Sequence, residues 1–261
     1  MIDYGLDGKV VVVTGGGSGI GLASAKAFAA EGCKVAVGDL NPPDAETIGG
    51  EHAAVSLELD FRDPKAAAKL VATATEQHGG VDVLFNNVGI APFREGFLTV
   101  SEEQWTELLS INFMTMARSC KAAIPEMLKR GGGAIVSIAS DAGRQPDPFF
   151  VDYAVSKSAI LSLSKSISME FGSQGIRSNC VSPGPTVTAA MDKFLDALAD
   201  EKGIDRDGAP DYFAQEMRNL PLGRMNDPAD VAAVVLFLAG DRARQVTGSE
   251  YCVDAGSIVS A

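Results

Sequence analysis

Histidine is nearly missing from this chain of 261 residues, which has only His52 and His78. Its four cysteines, Cys33, Cys120, Cys180 and Cys252, lie far apart and form no CxxC pair. Both shortages argue against a zinc site, and no metal is expected. Unpaired cysteines suit a reducing compartment, so a cytoplasmic location is expected. Positive charge is also scarce: 22 Lys and Arg stand against 34 Asp and Glu, a formal net charge of −12, and the basic residues do not cluster. A nucleic-acid or anionic-membrane partner, which needs basic surface, is therefore not expected. Apolar runs such as VVVV at 10–13 are far too short to span a bilayer. The opening MIDYGLDGK has neither the basic start nor the apolar core of a signal peptide. Glycine and proline are spread along the chain without a linker, repeat or low-complexity segment, so one domain over 1–261 is expected.

Short β-branched runs alternate with helical patterns throughout. KVVVVT, KVAVGD, AAVSLELD, VDVLFNN, GAIVSIAS, GIRSNCVSPG and GSEYCVDAG read as strands. Between them lie helical stretches, including LASAKAFAAEG, PKAAAKLVATATEQHGG and NDPADVAAVVLFLAG. A long one runs over 101–130, with Ser101 as N-cap and Pro125 expected to kink or divide it. This alternation predicts an α/β fold: a doubly wound parallel sheet of Rossmann type with helices on both faces. The stretch 185–222 reads as a long irregular insertion after a strand's carboxyl end, where ligands bind in such sheets; it is expected to act as a lid with a mobile tip.

TGGGSGIG, residues 14–21, sits between the first strand and the first helix. Glycines at 15, 19 and 21 let the backbone turn tightly against a ligand, and the helix start offers free N–H groups to a diphosphate. Asp39 ends the second strand, where a carboxylate can accept both hydroxyls of an adenosine ribose and would repel a 2′-phosphate. No Lys or Arg follows within 40–44, which favours NAD over NADP; the alternative is that Asp39 merely caps the turn before Pro42. Farther on, Tyr153 and Lys157 stand i, i+4 in a helical pattern and so share a face. A nearby ammonium lowers a phenol's pKa from about 10, so Tyr153 would exchange protons near neutral pH. Ser140 follows a strand and can reach the same oxygen. YxxxK alone is also compatible with two unrelated residues on an amphipathic helix.

With these motifs in this order, the chain resembles the short-chain dehydrogenases/reductases over nearly its whole length. TGGGSGIG is similar to that family's TGxxxGIG turn, and NNVG at 86–89 to its NNAG, with Val88 expected to crowd the turn. Asn112 in SINFMT, Ser140, Tyr153 and Lys157 match the family's catalytic positions; SPG at 182–184 with Thr188 matches its nicotinamide-carboxamide segment, and DAG at 254–256 stands where DGG is commoner. The resemblance implies a cofactor-binding set of Gly15, Ser18, Gly19, Ile20, Gly21, Asp39, Leu40, Asp60, Phe61, Asn87, Gly89, Tyr153, Lys157, Pro183, Gly184, Thr186 and Thr188, with Asp60 and Phe61 beside the adenine. It implies that Tyr153 is the acid/base, Lys157 lowers its pKa and binds the nicotinamide ribose, Ser140 holds the substrate oxygen, and the Asn112 backbone supports a water relay. It also implies pro-S hydride transfer and a homotetramer, with the helices near 101–130 and 153–171 as dimer faces.

The expected activity is NAD-dependent oxidation of an apolar secondary alcohol of modest size to a ketone. Pocket residues are expected from 91–97, 141–151 and 185–222, including Pro92, Phe93, Gln145, Pro146, Phe149, Phe150, Met191, Phe194 and Leu195. Arg94 and Arg144 lie near enough to meet an anionic group or to be simply exposed. The alternatives are a polyol or sugar substrate, an NADPH-type carbonyl or 3-oxoacyl reductase, and a catalytically silent NAD-binding scaffold. Ser18, where NADPH-linked members often carry a base, speaks against the reductase, and the complete catalytic set against the scaffold.

Overall fold

The computed structural model describes residues 3–259; positions 1, 2, 260 and 261 of the expected domain, and with them the first two residues of the N-terminal stretch, lie outside these. In chain order the elements are β1 (Val10–Thr14), α1 (Gly19–Ala30), β2 (Lys34–Asp39), the single turn α2 (Ala45–Ile48), β3 (Val55–Glu58), α3 (Ala66–His78), β4 (Val83–Asn86), α4 (Glu102–Leu109), α5 (Thr115–Lys129), β5 (Gly133–Ile138), α6 (Val151–Phe171), β6 (Ile176–Pro183), α7 (Ala189–Lys202), α8 (Ala209–Tyr212), α9 (Pro228–Ala239) and β7 (Glu250–Val253). The strands form one sheet in the order β3-β2-β1-β4-β5-β6-β7, every pair parallel. The chain runs outward from β1 to β3, then crosses to β4 on the other side of β1. That reversal opens a crevice at the carboxyl ends of β1 and β4.

Strand periodicity explains both cores. Val10 and Val12 point with Ala36, Leu84, Ile135 and Cys180 to the face covered by α3, α5 and α6. Their neighbours Val11 and Val13 point with Val35, Val37, Phe85 and Val136 to the opposite face, under α1 and α9. A strand buried on both faces has to be apolar at every position, which is why β1 is an unbroken valine run rather than an alternating one. Helix starts follow local chemistry. Ser101 caps α4 in a reciprocal box with Gln104, and Asp227 does the same for α9 with Asp230, followed by Pro228 in the first turn.

The structure corrects two expectations. Pro125 neither kinks nor divides the long helix into pieces: α5 runs through it. Pro125 and Lys121 both lie on the exposed side, so the carbonyl left without a donor can be met by water. The division falls earlier, at a π-helical turn over Ser110–Met114, centred on Asn112. The stretch 185–222 is also not irregular. It folds as α7, α8 and a second π-helical turn, Phe213–Met217, around a small core of Leu195, Ala199, Ala209, Ala214, Leu220, Met225 and Ala255.

Candidate active site

The glycine turn is shaped by clearances that no side chain would survive. Gly15 and Gly19 adopt φ of +73° and +51°, conformations that favour glycine. A Cβ at Gly21 would lie 1.9 Å from the Gly15 carbonyl oxygen, so α1 starts directly against the turn. Asn87 fixes that carbonyl from the end of β4 by donating to it at 2.5 Å. Val88 crowds the turn as expected, its Cα 3.0 Å from where a Gly15 Cβ would stand. Ser18 precedes α1 without capping it through its side chain, which leaves the first N–H groups of the helix to another acceptor.

Asp39 closes the other side of the turn. Its carboxylate accepts the Gly17 N–H at 2.8 Å and the Asn41 N–H at 2.9 Å. It therefore caps its own turn and also faces the glycine loop; the two readings of Asp39 are compatible. Each oxygen keeps a lone pair for a hydroxyl donor, so the half-buried carboxylate fits a ribose diol. Leu40 is exposed beside it, and Ile20 packs half-buried at the base of α1. Asp60 is held by Arg62 through a 2.7 Å ion pair, which keeps its carboxyl below the usual range. Phe61, beside it in sequence, is 6% exposed and belongs to the core cluster that also holds Ala66, Ala67 and Leu70.

Across the cleft, Pro183 ends β6 and Gly184 follows it; a Cβ at Gly184 would lie 2.8 Å from the Asp254 Cα. Thr186 donates to the Gly184 carbonyl at 3.0 Å, and Thr188 at the start of α7 approaches Gly19, its Cγ2 3.0 Å from where a Cβ there would be. The two sides of the cleft therefore meet over the glycine turn.

Four candidate catalytic residues converge at the strand ends. Asn112 is buried, and both ends of its side-chain amide are hydrogen-bonded. It accepts from the Ile90 N–H and donates to the Ile90 carbonyl, both at 2.9 Å, and donates to Ser156 Oγ at 3.1 Å. This explains the π turn: the amide is pulled out of helical register to clamp the loop after β4. Gly89 lies beneath it, with Lys157 Nζ 3.4 Å from the position a Cβ would take. Lys157 is buried, donates to the Ile138 carbonyl at 2.8 Å, and places its ammonium 5.5 Å from the Tyr153 ring centroid. Burial pushes its pKa down to about 8. Burial also pushes the Tyr153 phenol up to about 12; the Ser140 hydroxyl lowers it and Asp141 raises it. The expected depression of Tyr153 by Lys157 is thus absent from this arrangement. The ammonium lies 5.5 Å from the ring centroid and bonds the Ile138 carbonyl.

Other pocket expectations divide. Phe150 meets Tyr153 edge-on at 6.5 Å between centroids, Phe93 meets Phe150 at 6.1 Å, and Phe149 stacks on Phe93 at 5.2 Å. These rings form an aromatic wall running outward from Tyr153, and Phe93 is 63% exposed. Phe194 meets Phe213 edge-on at 5.1 Å. Leu195 is not a pocket residue but the fully buried centre of the α7–α8 core. Neither arginine is free for an anion: Arg94 pairs with buried Asp152 at 2.7 Å, and Arg144 with Glu250 at 2.6 Å. Gln145 accepts from the Val259 N–H. Asp141, Arg218 and Ser257 meet behind Ser140; the first two lie in the expected stretches 141–151 and 185–222 without being singled out there, and Ser257 lies in neither. Among the described residues, no group of three or more His, Cys, Asp or Glu could hold a metal ion, and no helix is long and apolar enough to cross a membrane.

A family model described as enoyl-(acyl carrier protein) reductase matches residues 15–257. The chain is 36% identical over 256 residues to a 2,5-dichloro-2,5-cyclohexadiene-1,4-diol dehydrogenase of Sphingobium indicum, covering 96% of each. Among solved structures, the L-sorbose reductase of Gluconobacter frateurii, complexed with NADPH and L-sorbose, superposes over 100% of both chains with a TM-score of 0.92 and 30% identity. Carveol dehydrogenase from Mycobacterium avium, in complex with NAD, superposes over 97% of this chain and 99% of its own, with a TM-score of 0.87 and 26% identity.

Proposed function

Because the chain belongs to the short-chain dehydrogenase/reductase family, whose relatives here are nicotinamide-linked dehydrogenases and reductases, we propose that it oxidises an apolar secondary alcohol to a ketone with NAD. The observation that carries this reading is the convergence of Ser140, Tyr153 and Lys157 at the inner end of an aromatic wall. NAD, when bound, supplies the hydride acceptor. Gly15, Ser18, Gly19, Ile20 and Gly21 would hold its diphosphate and Asp39 its adenosine ribose, with Leu40, Asp60 and the Phe61 backbone bordering the adenine. Asn87, Gly89, Pro183, Gly184, Thr186 and Thr188 would line the nicotinamide half.

Tyr153 takes the alcohol proton and Ser140 holds the alcohol oxygen. Lys157 donates to the Ile138 carbonyl and holds its ammonium over the Tyr153 ring, where it would meet the nicotinamide ribose. Asn112 keeps the loop after β4 fixed against α6, and its backbone supports the route by which the proton leaves. The segment 185–222 acts as a lid that excludes water. A ring-shaped alcohol suits Phe150, Phe93 and Phe149, which offer flat apolar surface and little to pair with several hydroxyls. With four free cysteines, the reducing cytosol is its natural compartment. We assign it as a homotetramer using α4, α5 and α6 as faces, in keeping with the family.

The L-sorbose reductase neighbour favours a second reading, NADPH-linked reduction of a sugar ketone. The cofactor decides first between the two. A 2′-phosphate would meet the Asp39 carboxylate, and no base stands within 40–44 to offset it. Initial rates should give kcat/KM at least about tenfold higher with NAD than with NADP, a difference of about 1.4 kcal/mol. Asp39→Ala should narrow the gap, mainly by raising KM for NAD. Equal efficiency with both cofactors would remove the NAD assignment.

A further inference from the structure

Directly behind Ser140 lies a buried carboxylate that the proposed chemistry does not use. Asp141 is 8% exposed and fully engaged. Its Oδ1 accepts the Ser140 hydroxyl at 2.9 Å and the Ala142 N–H at 2.8 Å. Its Oδ2 accepts the Ser257 hydroxyl at 2.9 Å and the Arg218 guanidinium at 3.3 Å. Arg218 also donates to Ser257 Oγ at 3.3 Å, closing a small circuit. The three partners come from distant places. Ser140 lies just past the end of β5, Arg218 follows the lid's π turn, and Ser257 lies beyond β7. One carboxylate therefore ties the lid's inner end to the serine beside the candidate acid/base.

We propose that Asp141 is a positioning residue for the reaction and Arg218 its lid-borne partner, so that the Ser140 hydroxyl is set and Tyr153 is freed to take a proton only while the lid is closed. The inference rests on the roles assigned to Ser140 and Tyr153 above. Its physical basis is charge and hydrogen-bond competition. Ser140 has one proton, and Asp141 accepts it. To donate to a substrate oxygen, Ser140 has to release that bond, and the carboxylate yields it more readily when the guanidinium and Ser257 already satisfy its other oxygen. A bare carboxylate at this depth would also oppose the nearby phenolate, and Asp141 indeed raises the Tyr153 pKa. The remaining charges near Tyr153 are Lys157 on its own helix and Asp152, which Arg94 of the loop after β4 neutralises. Behind Asp141 lie the Arg144–Glu250 pair and the Cys252 thiol on β7. Of these cations only Arg218 rides on the lid.

The test is the pH profile of kcat/KM for NAD-linked alcohol oxidation in four proteins: wild type, Asp141→Asn, Arg218→Gln and the double variant. Arg218→Gln should move the rising limb to higher pH by about half a unit or more, and Asp141→Asn should move it to lower pH. In the Asn background, Arg218→Gln should have no further effect on the limb, because the charge it balanced is gone. Arg218→Lys, which keeps the cation, should recover most of the wild-type profile. Arg218 is a third exposed, so its variants keep the test open if Asp141→Asn does not fold. Unmoved profiles, or an Arg218→Gln shift that persists in the Asn background, overturn the inference. Wild-type turnover that survives Tyr153→Phe would instead overturn the underlying assignment of the acid/base.

Discussion

Replacing Tyr153 by Phe should give a folded protein that still binds NAD but turns over at less than about one hundredth of the wild-type rate. The substitution removes one hydroxyl. The ring keeps its edge-on contact with Phe150 and its place under the Lys157 ammonium, so neither the aromatic wall nor the buried lysine is disturbed. What is lost is the only group in the cluster placed to take and return the alcohol proton; acid–base groups of this kind contribute about 10²–10⁴-fold. Lys157 is committed to a backbone carbonyl and Ser140 to a carboxylate, so neither substitutes for it. Fluorescence titration with the reduced cofactor checks binding, and initial rates check turnover. A variant keeping more than about one hundredth of the activity would show that another group handles the proton. The same assignment gives the pH dependence: the phenol sits high, at about 12. Oxidation should accelerate as pH rises and the phenolate fraction grows, whereas ketone reduction should be favoured at lower pH.

Lys157 carries the second large expected effect, because the proposed reading places its ammonium between the Tyr153 ring and the nicotinamide ribose. Lys157→Ala should reduce turnover and weaken NAD binding together, and kcat and KM should both report it. The less familiar consequence concerns stability. Burial holds Lys157 at about 8, below its value of 10.5 in an unfolded chain. Between these values the unfolded protein binds a proton that the folded one does not, so folding is opposed increasingly as pH falls from 10.5 toward 8 and by a constant amount below 8. A displacement of this size is worth roughly 3 kcal/mol. Against Lys157→Met, which keeps the stem and discards the charge, the wild-type protein without added NAD should therefore gain relative stability as the pH is raised from 7 to 10. Urea unfolding of both proteins at the two pH values measures this. A constant difference would mean that the lysine is solvated as well in the folded protein as in the unfolded one. The expected outcome describes a group kept for chemistry at the expense of stability.

The fold was legible because its signal is local and repeated. The unbroken valine run of β1 marks a strand buried on both faces, and strand patterns alternate with helical ones, of which α4 and α9 open on their own side-chain caps. The glycine turn and Asp39 were legible for a related reason: their meaning depends on position at strand ends, which the strand pattern supplies. Pro125 misled because its position on the helix surface, which decides whether its missing bond matters, depends on what packs against the other side. The helices of 185–222 were obscured by polar residues, Gly203 and Pro210, which read as loop until the small core around Leu195 is seen. The circuit of Ser140, Asp141, Arg218 and Ser257 was beyond reach of any local pattern. Its members are brought together only by the sheet order and the path of the chain after β6.

One measurement decides the activity most directly: the rate at which the purified protein reduces NAD with a panel of aliphatic, alicyclic and aryl secondary alcohols, set against polyols, sugars and 3-hydroxyacyl thioesters. An aromatic wall ending at Tyr153, two arginines already neutralised and Asp39 facing the glycine turn predict the highest kcat/KM for alicyclic or aryl secondary alcohols with NAD. A clear preference for polyols, sugars or thioesters would contradict the substrate assignment, and no NAD reduction by any alcohol in the panel would contradict the proposed activity.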